Sequence, residues 1–261
     1  MKKISALLIT YNEREHLPDV IDTVDFADEI IVVDSYSDDG TAEYLQEDSR
    51  VKLIQHPFRN FSEQRNFALK HAQYPWVLFI DADERIPKKL REEIKKTVNL
   101  PDPKAAYYFR RQFLFKNKPL RFSGYQTDKN HRLFQKEKAY YCPERLVHEI
   151  LEVEGKSGVL KNKLLHYSFN DYEEYKQKML SYGRLRAVEL SKKNLEPGFF
   201  HFYIKPTYKF LSHYVIRLGF LDGKKGFCVS YLNALSVAER YRELIRMEHL
   251  VESSPKQEVF L

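Results

Sequence analysis

The chain has 261 residues, 43 Lys+Arg against 37 Asp+Glu for a formal charge of +6, 43% apolar residues, and 18 Phe, 18 Tyr and one Trp. Length over ~150 gives one large α/β domain or two ordinary ones, and this apolar and aromatic content excludes a disordered or low-complexity polymer. No apolar run approaches the ~18–20 residues of a membrane-spanning helix, and the apolar stretch after Met1-Lys2-Lys3 is too short for a signal peptide. The two cysteines, Cys142 and Cys228, exclude a disulfide framework or zinc ribbon, so a cytosolic location is expected.

Residues 1–100 alternate short apolar runs with helix-like stretches, the pattern of a mainly parallel sheet flanked by helices in an α/β fold. Strands are predicted at 4–9, 29–34, 51–55 and 76–81, each buried on both faces. Helices are predicted near 13–25, 40–48, 61–72 and 87–98, with Ser62 capping the third and Pro87 opening the fourth. Residues 101–170 read as β-rich, with strands at 105–115, 131–135, 138–142 and 163–168. Residues 171–261 read as a helical C-terminal extension: a polar helix over 171–193, then helices near 202–221 and 227–249. The Leu221-Asp222-Gly223-Lys224-Lys225-Gly226 turn between the last two predicts a helical hairpin.

Three polar clusters follow predicted strands, where open α/β sheets collect ligands. They are Thr10-Tyr11-Asn12-Glu13, Asp34-Ser35-Tyr36-Ser37-Asp38-Asp39-Gly40-Thr41, and Asp81-Ala82-Asp83. Such residues also serve as ordinary turns and caps; three on one sheet edge point to a shared crevice. If the fourth strand runs to Asp81, a period of two sends carboxylates 81 and 83 to one side. Two like charges this close call for a divalent cation, and an all-oxygen shell completed by water and diphosphate suits Mg²⁺ or Mn²⁺. The chain has no Gly-x-x-x-x-Gly-Lys-Ser/Thr loop, no Gly-x-Gly-x-x-Gly and no Gly-x-Ser-x-Gly elbow.

These motifs together resemble those of the family 2 glycosyltransferases of the GT-A fold. The likeness rests on Thr10-Tyr11-Asn12-Glu13, Val32-Val33-Asp34-Ser35-x-Ser37-x-Asp39-Gly40-Thr41, Gln64-Arg65-Asn66-x-Ala68-Leu69 and Phe79-Ile80-Asp81-Ala82-Asp83-Glu84, in order over about the first 90 residues. Arg132-Leu133-Phe134 and Val147-His148-Glu149 look like the bacterial branch that includes lipopolysaccharide core β-glucosyltransferases. The resemblance implies a nucleotide-sugar pocket lined by Thr10, Asn12 and Glu13, with Asp34 at the uracil or ribose and Arg65 at the base or diphosphate. Asp81 and Asp83 would hold ribose and metal, and Glu149 would take the acceptor proton in an inverting displacement, with Asp128 and Glu144 in reserve. Glu149 is equally read as a surface acid on a strand. His166 is a candidate third metal ligand, or a half-buried strand histidine bonded to backbone. The aromatic run Tyr107, Tyr108, Phe109, Phe113 and Phe115 could stack on a sugar, but its alternation reads first as core.

Near the C-terminus the charge concentrates: Gly198 to Leu250 carries eight Lys/Arg and four Asp/Glu, a local +4. Ile204, Tyr208, Leu211, Val215 and Leu218 form one stripe, and Lys205, Lys209, His213 and Arg217 another, an amphipathic basic helix. It suits the headgroup layer of an anionic membrane or a cover for the sheet; no nucleic-acid motif accompanies the charge. The expected partners are a nucleotide-sugar donor, a saccharide or glycolipid acceptor and an anionic membrane surface, at the inner face of the cytoplasmic membrane. Rival readings are a nucleotidyltransferase using the same acids and a non-catalytic membrane-peripheral module.

Overall fold

The structure, a computed structural model, describes residues 2–142, 150–169, 172–193 and 195–253. Its elements run β1 (Ile4–Thr10), α1 (Leu17–Val24), β2 (Glu29–Asp34), α2 (Thr41–Glu47), β3 (Val51–Gln55), α3 (Phe61–His71), β4 (Trp76–Phe79), β5 (Glu84–Arg85) and α4 (Lys88–Val98). There follow β6 (Ala106–Phe115), β7 (Lys118–Pro119), β8 (Lys129–Gln135), β9 (Ala139–Tyr141), β10 (Leu151–Val153), β11 (Ser157–Phe169), α5 (Tyr172–Ser191), α6 (Lys205–Leu211) and α7 (Lys224–Ser253).

The chain divides into two compact units, residues 1–112 with 127–167, and residues 113–126 with 168–261. The first is an α/β unit around a mixed sheet in the order β3-β2-β1-β4-β8-β6-β11-β5. Strands β3, β2, β1 and β4 are parallel, and β8 turns the sheet antiparallel. Alternation along each inner strand feeds two cores. Leu8, Val32 and Leu78 pack with Leu17, Val20 and Ile21 of α1 and with Leu90 and Ile94 of α4. Leu7, Ile31, Val33, Val77 and Phe79 pack with Ala68 and Leu69 of α3. In a flat sheet the four steps from β4 to β5 would span about 19 Å at ~4.8 Å each. The stretch from Phe79 to Glu84 reaches only about 17 Å when fully extended, and it contains a turn, so the sheet curls.

Several expectations shift by a physical cause. β3 lies at the sheet edge and is only half-buried, rather than buried on both faces. β4 stops at Phe79, because Glu84 N–H donates to the Asp81 carbonyl (3.0 Å) and folds residues 81–84 into a turn. Asn60, and not Ser62, caps α3, accepting from Glu63 N–H at 2.8 Å, while Ser62 is buried within the first turn. α1 begins at Leu17 with Pro18 in its first turn. The strands β5, β7 and β10 are too short to leave a period in the sequence.

The second unit is built on α5 and α7, which pack together around Tyr175, Met179, Val229 and Leu232, with Phe113, Phe115 and Leu120. A Cβ on Gly183 of α5 would lie 2.6 Å from the Ser236 carbonyl of α7, so only glycine permits this approach. The predicted helix over 202–221 is not one continuous α-helix. π-helical turns at Phe200–Ile204 and Ser212–Ile216 flank α6, and a positive φ at Leu218 ends the run. The hairpin forms at Gly223, with α6 against α7.

Asn66 of α3 mimics a strand partner, donating to the Tyr141 carbonyl (2.7 Å) and accepting from Tyr141 N–H (2.9 Å) on β9. Asn66→Ala leaves both backbone groups unmet and is expected to lower unfolding stability by about 1–3 kcal/mol, measured by urea denaturation, with the far-ultraviolet spectrum unchanged.

Candidate active site

Pairing register sets the site. Thr10 lies opposite Asp34, and Asp34 opposite Gln55, so β1, β2 and β3 end in one row. Past that row the polar clusters bind each other. Asn12 Nδ2 donates to Asp38 (2.8 Å) and its Oδ1 accepts from Asp38 N–H (3.0 Å), while its backbone N–H donates to Ser37 Oγ (2.9 Å). Asn12 and Tyr36 take positive φ values, which asparagine accepts more readily than most residues. Glu13 N–H donates to Thr41 Oγ1 (3.1 Å), and the Glu13 carboxylate meets His16 Nδ1 at 2.7 Å, a bond that raises the His16 pKa against the effect of burial. Asp34 is fully buried. It accepts from Ser37 N–H (3.0 Å), Ser37 Oγ (2.5 Å) and Gln55 Nε2 (3.3 Å), so its carboxylate holds the 34–41 loop from beneath.

Helix α3 joins this loop to the turn after β4. Gln64 Nε2 donates to Ser35 Oγ (3.0 Å), and its neighbour Arg65 donates through Nη2 to Asp81 Oδ1 (2.7 Å). The Arg65 guanidinium also lies 4.5 Å from the Phe79 ring centre, a cation–π arrangement. The other Asp81 oxygen takes Arg132, which in turn holds the fully buried Glu84 at 2.7 Å. Arg111 lies 3.7 Å from Glu84 and bonds Asp128 at 2.5 Å. Burial pushes Asp81 up, but Arg132 and Arg65 outweigh it and hold the carboxyl below the ordinary range. Burial also pushes Glu84 up, and the Asp81 charge adds to that rise while Arg132 opposes it.

Arg132 reaches this position through a bulge. Leu133 pairs with Tyr107 and His131 with Tyr108, so Arg132 is the extra residue of β8. His131 and Arg132 therefore both line a cavity of about 300 Å³ with Arg65, Tyr108, Tyr141 and Leu151. His131 stacks on Tyr108 at 3.6 Å, and burial, with Lys129 nearby, pushes its pKa down to about 4.

Asp83 faces a different partner. Pairing of β11 with β5 places His166 opposite Glu84, and His166 Nε2 meets Asp83 Oδ2 at 2.9 Å. The strand-period argument for Asp81 and Asp83 is thus corrected: they sit in a turn, one on arginines and one on histidine. The expected ligands Asp81, Asp83 and His166 do not gather as one group, and among the described residues no three His, Cys, Asp or Glu side chains do. The structure does unite Asp83 with His166, which the sequence left between a ligand and a backbone-bonded strand residue.

Of the other sequence candidates, Thr10 is buried at the edge, and its hydroxyl has no hydrogen-bond partner among the described residues. Asp128 is held by Arg111, while Glu144 and Glu149 lie outside the described residues. Within the aromatic run, Tyr107, Phe109, Phe113 and Phe115 are core and Tyr108 lines the cavity. Sequence reasoning assigned no site role to Glu84, Arg132 or Gln64. The available signals were charged residues inside apolar strand patterns and a glutamine preceding the arginine of α3.

Three comparisons bear on this geometry. A family profile described as Glycosyl transferase family 2 matches residues 5–150. Over 250 residues the chain is 28% identical to the lipopolysaccharide core biosynthesis glycosyltransferase LpsC of Rhizobium meliloti (strain 1021), covering 91% of this chain and 93% of that protein. Among solved structures, the mannosyltransferase PcManGT of Pyrobaculum calidifontis, in complex with GDP-Man and Mn²⁺, is similar at a TM-score of 0.49 and 15% identity, covering 97% of this chain and 81% of that chain. S. aureus TarS 1-349 in complex with UDP gives 0.45 and 16%, covering 97% and 92%. The family profile spans more than half of the chain. The chain therefore belongs to glycosyltransferase family 2, which decides between sugar transfer and its two rivals.

The buried Arg132–Glu84–Asp81 cluster is a stability element as well as a site element. Arg132→Met takes the nearest cation from the buried Glu84 and leaves Asp81 with Arg65 alone, and is expected to cost about 3–5 kcal/mol in urea unfolding. The double variant with Glu84→Gln should recover part of that loss.

Proposed function

We propose that the chain transfers a hexose from a UDP-sugar to a hydroxyl of a lipid-linked saccharide such as lipopolysaccharide core, with inversion at the anomeric carbon. The observation that carries this reading is the joining of the Asp34 loop to the Asp81 turn by Gln64 and Arg65, with Asp83 on His166 beside them. The role named for LpsC supports the acceptor class.

Thr10, Asn12 and Glu13 line the nucleotide pocket, and Asp34 shapes it by holding Ser37. Arg65 and Arg132, aimed by Asp81, present guanidinium forks to the diphosphate. Asp83 and His166 fit a two-point hold on Mg²⁺ or Mn²⁺, ions that commonly keep waters and phosphate oxygens as remaining ligands. Held by Asp83 and His166, such an ion would supply positive charge to offset that growing on the leaving diphosphate.

The acceptor oxygen attacks the anomeric carbon from the face opposite the diphosphate. The bond from that carbon to the β-phosphate oxygen breaks, its electron pair leaving with UDP, and the acceptor proton passes to a carboxylate that we assign to Glu149. The cavity beside Arg65, with its stacked Tyr108 and His131, offers apolar ring faces for a sugar. In this reading residues 171–261 hold the enzyme at the inner face of the cytoplasmic membrane, where a lipid-linked acceptor resides.

UDP with Mn²⁺ should raise the melting temperature of the parent chain, and Asp83→Ala or His166→Ala should remove the Mn²⁺-dependent part. If UDP-, GDP- and dTDP-sugars all leave the parent's melting unchanged, the reading fails. Glu149→Gln should slow transfer by about 10²–10⁴-fold while leaving UDP stabilisation intact; undiminished turnover would place the base elsewhere.

A further inference from the structure

The stretch from Phe199 to Tyr231 inverts the usual burial rule. Phe199, Tyr208 and Ile216 are 71%, 65% and 68% exposed, and Ile204, Leu211, Val215 and Leu218, the apolar stripe of the sequence, are exposed as well. Three of the four cationic-stripe residues turn inward and only Arg217 stays exposed: Lys205 Nζ donates to the Tyr241 hydroxyl of α7 (3.0 Å), Lys209 is half-buried, and His213 is 6% exposed. Burial, with Lys209 and Arg217 nearby, pushes the His213 pKa down to about 4, so it sits there neutral. An amphipathic helix that merely covered a core would present the opposite face.

We infer that this ridge is a docking surface for an anionic lipid bilayer, with the apolar side chains entering the boundary between headgroups and acyl chains. Thirteen large apolar or aromatic side chains between Phe199 and Tyr231 are exposed, a concentration that marks an interaction site rather than scattered exposure. Its aromatic side chains, Phe199, Tyr203, Tyr208 and Tyr231 among them, are of the type that concentrates at membrane–water boundaries. Charge selects the occupant. Of the five Lys/Arg between Phe199 and Tyr231, Arg217 and Lys224 are exposed, and the one acid there, Asp222, is spent on the backbone N–H groups of Arg121 and Phe122. Exposed Lys192, Lys193, Arg217 and Lys224 border the ridge or precede it in the chain. Such cations suit anionic headgroups, whereas a symmetric contact with a second copy would set like charges against each other. The π-helical turns before and after α6 widen the helix and spread the ridge. This deepens the lipid-linked acceptor reading, and rests on it only for the purpose that docking serves.

The test is co-sedimentation of the full chain with phosphatidylcholine vesicles, with and without phosphatidylglycerol. We expect binding to the anionic vesicles that weakens with salt. Phe199→Ser, Tyr208→Ser and Ile216→Ser combined should lower the affinity at least ~10-fold, and Lys192→Glu with Lys193→Glu and Lys224→Glu should remove the preference for phosphatidylglycerol. All six positions are exposed, and unchanged melting with unchanged UDP stabilisation would show that the fold and nucleotide site are intact. No vesicle binding by the parent, or equal binding by the serine variant, overturns the proposal. So does a concentration-dependent dimer abolished by the same serines, which would give the ridge to a second copy. Vesicle binding without any nucleotide effect would leave docking standing and remove the nucleotide-sugar donor reading.

Discussion

The candidate site depends on one ion arrangement, in which the partly exposed Asp81 lies between the buried Arg65 and Arg132 and the fully buried Glu84 lies beneath Arg132. Each member is intolerable alone: an unpaired guanidinium or carboxylate away from water costs several kcal/mol. Together they tie helix α3, the turn after β4 and the bulged strand β8. Arg132 can join only because the β8 bulge gives it the same side as His131, against the alternation of a regular strand.

In the proposed transfer, donors fixed before a substrate arrives would need no reorganisation when charge develops on a leaving diphosphate. Asp81 sets the positions of two guanidinium forks, while Asp83 is turned aside to His166. A motif of two aspartates separated by one alanine thus makes two separate contacts, Asp81 with two arginines and Asp83 with His166.

The second unit answers a different constraint. Its core is carried by α5 and α7 around Tyr175, whose hydroxyl bonds Tyr125 and Asn233 at 2.8 Å each. With that core complete, α6 and its π-helical turns have no apolar face left to cover. They pack on α7 through Lys205, with Phe202 against Tyr241 and Phe210 and Tyr214 against Phe227, and leave Phe199, Tyr208, Leu211 and Ile216 outside. None of the helices among the described residues is long and apolar enough to cross a membrane.

The order of strands and helices in the first half was legible in the sequence, because buried parallel strands leave continuous apolar runs and each is followed by its polar cluster. The family was legible too, from four short motifs in order, since those residues act locally in turns and helix starts. What the sequence could not express is which distant charges meet. Arg132 lies far along the chain from Asp81, the bulge that aims it leaves no periodic trace, and His166 reaches Asp83 only through the pairing of β11 with the two-residue β5. The same limit governs α6: its stripes were readable, but which stripe faces inward is decided by what α7 offers to pack against, and that is a property of tertiary structure.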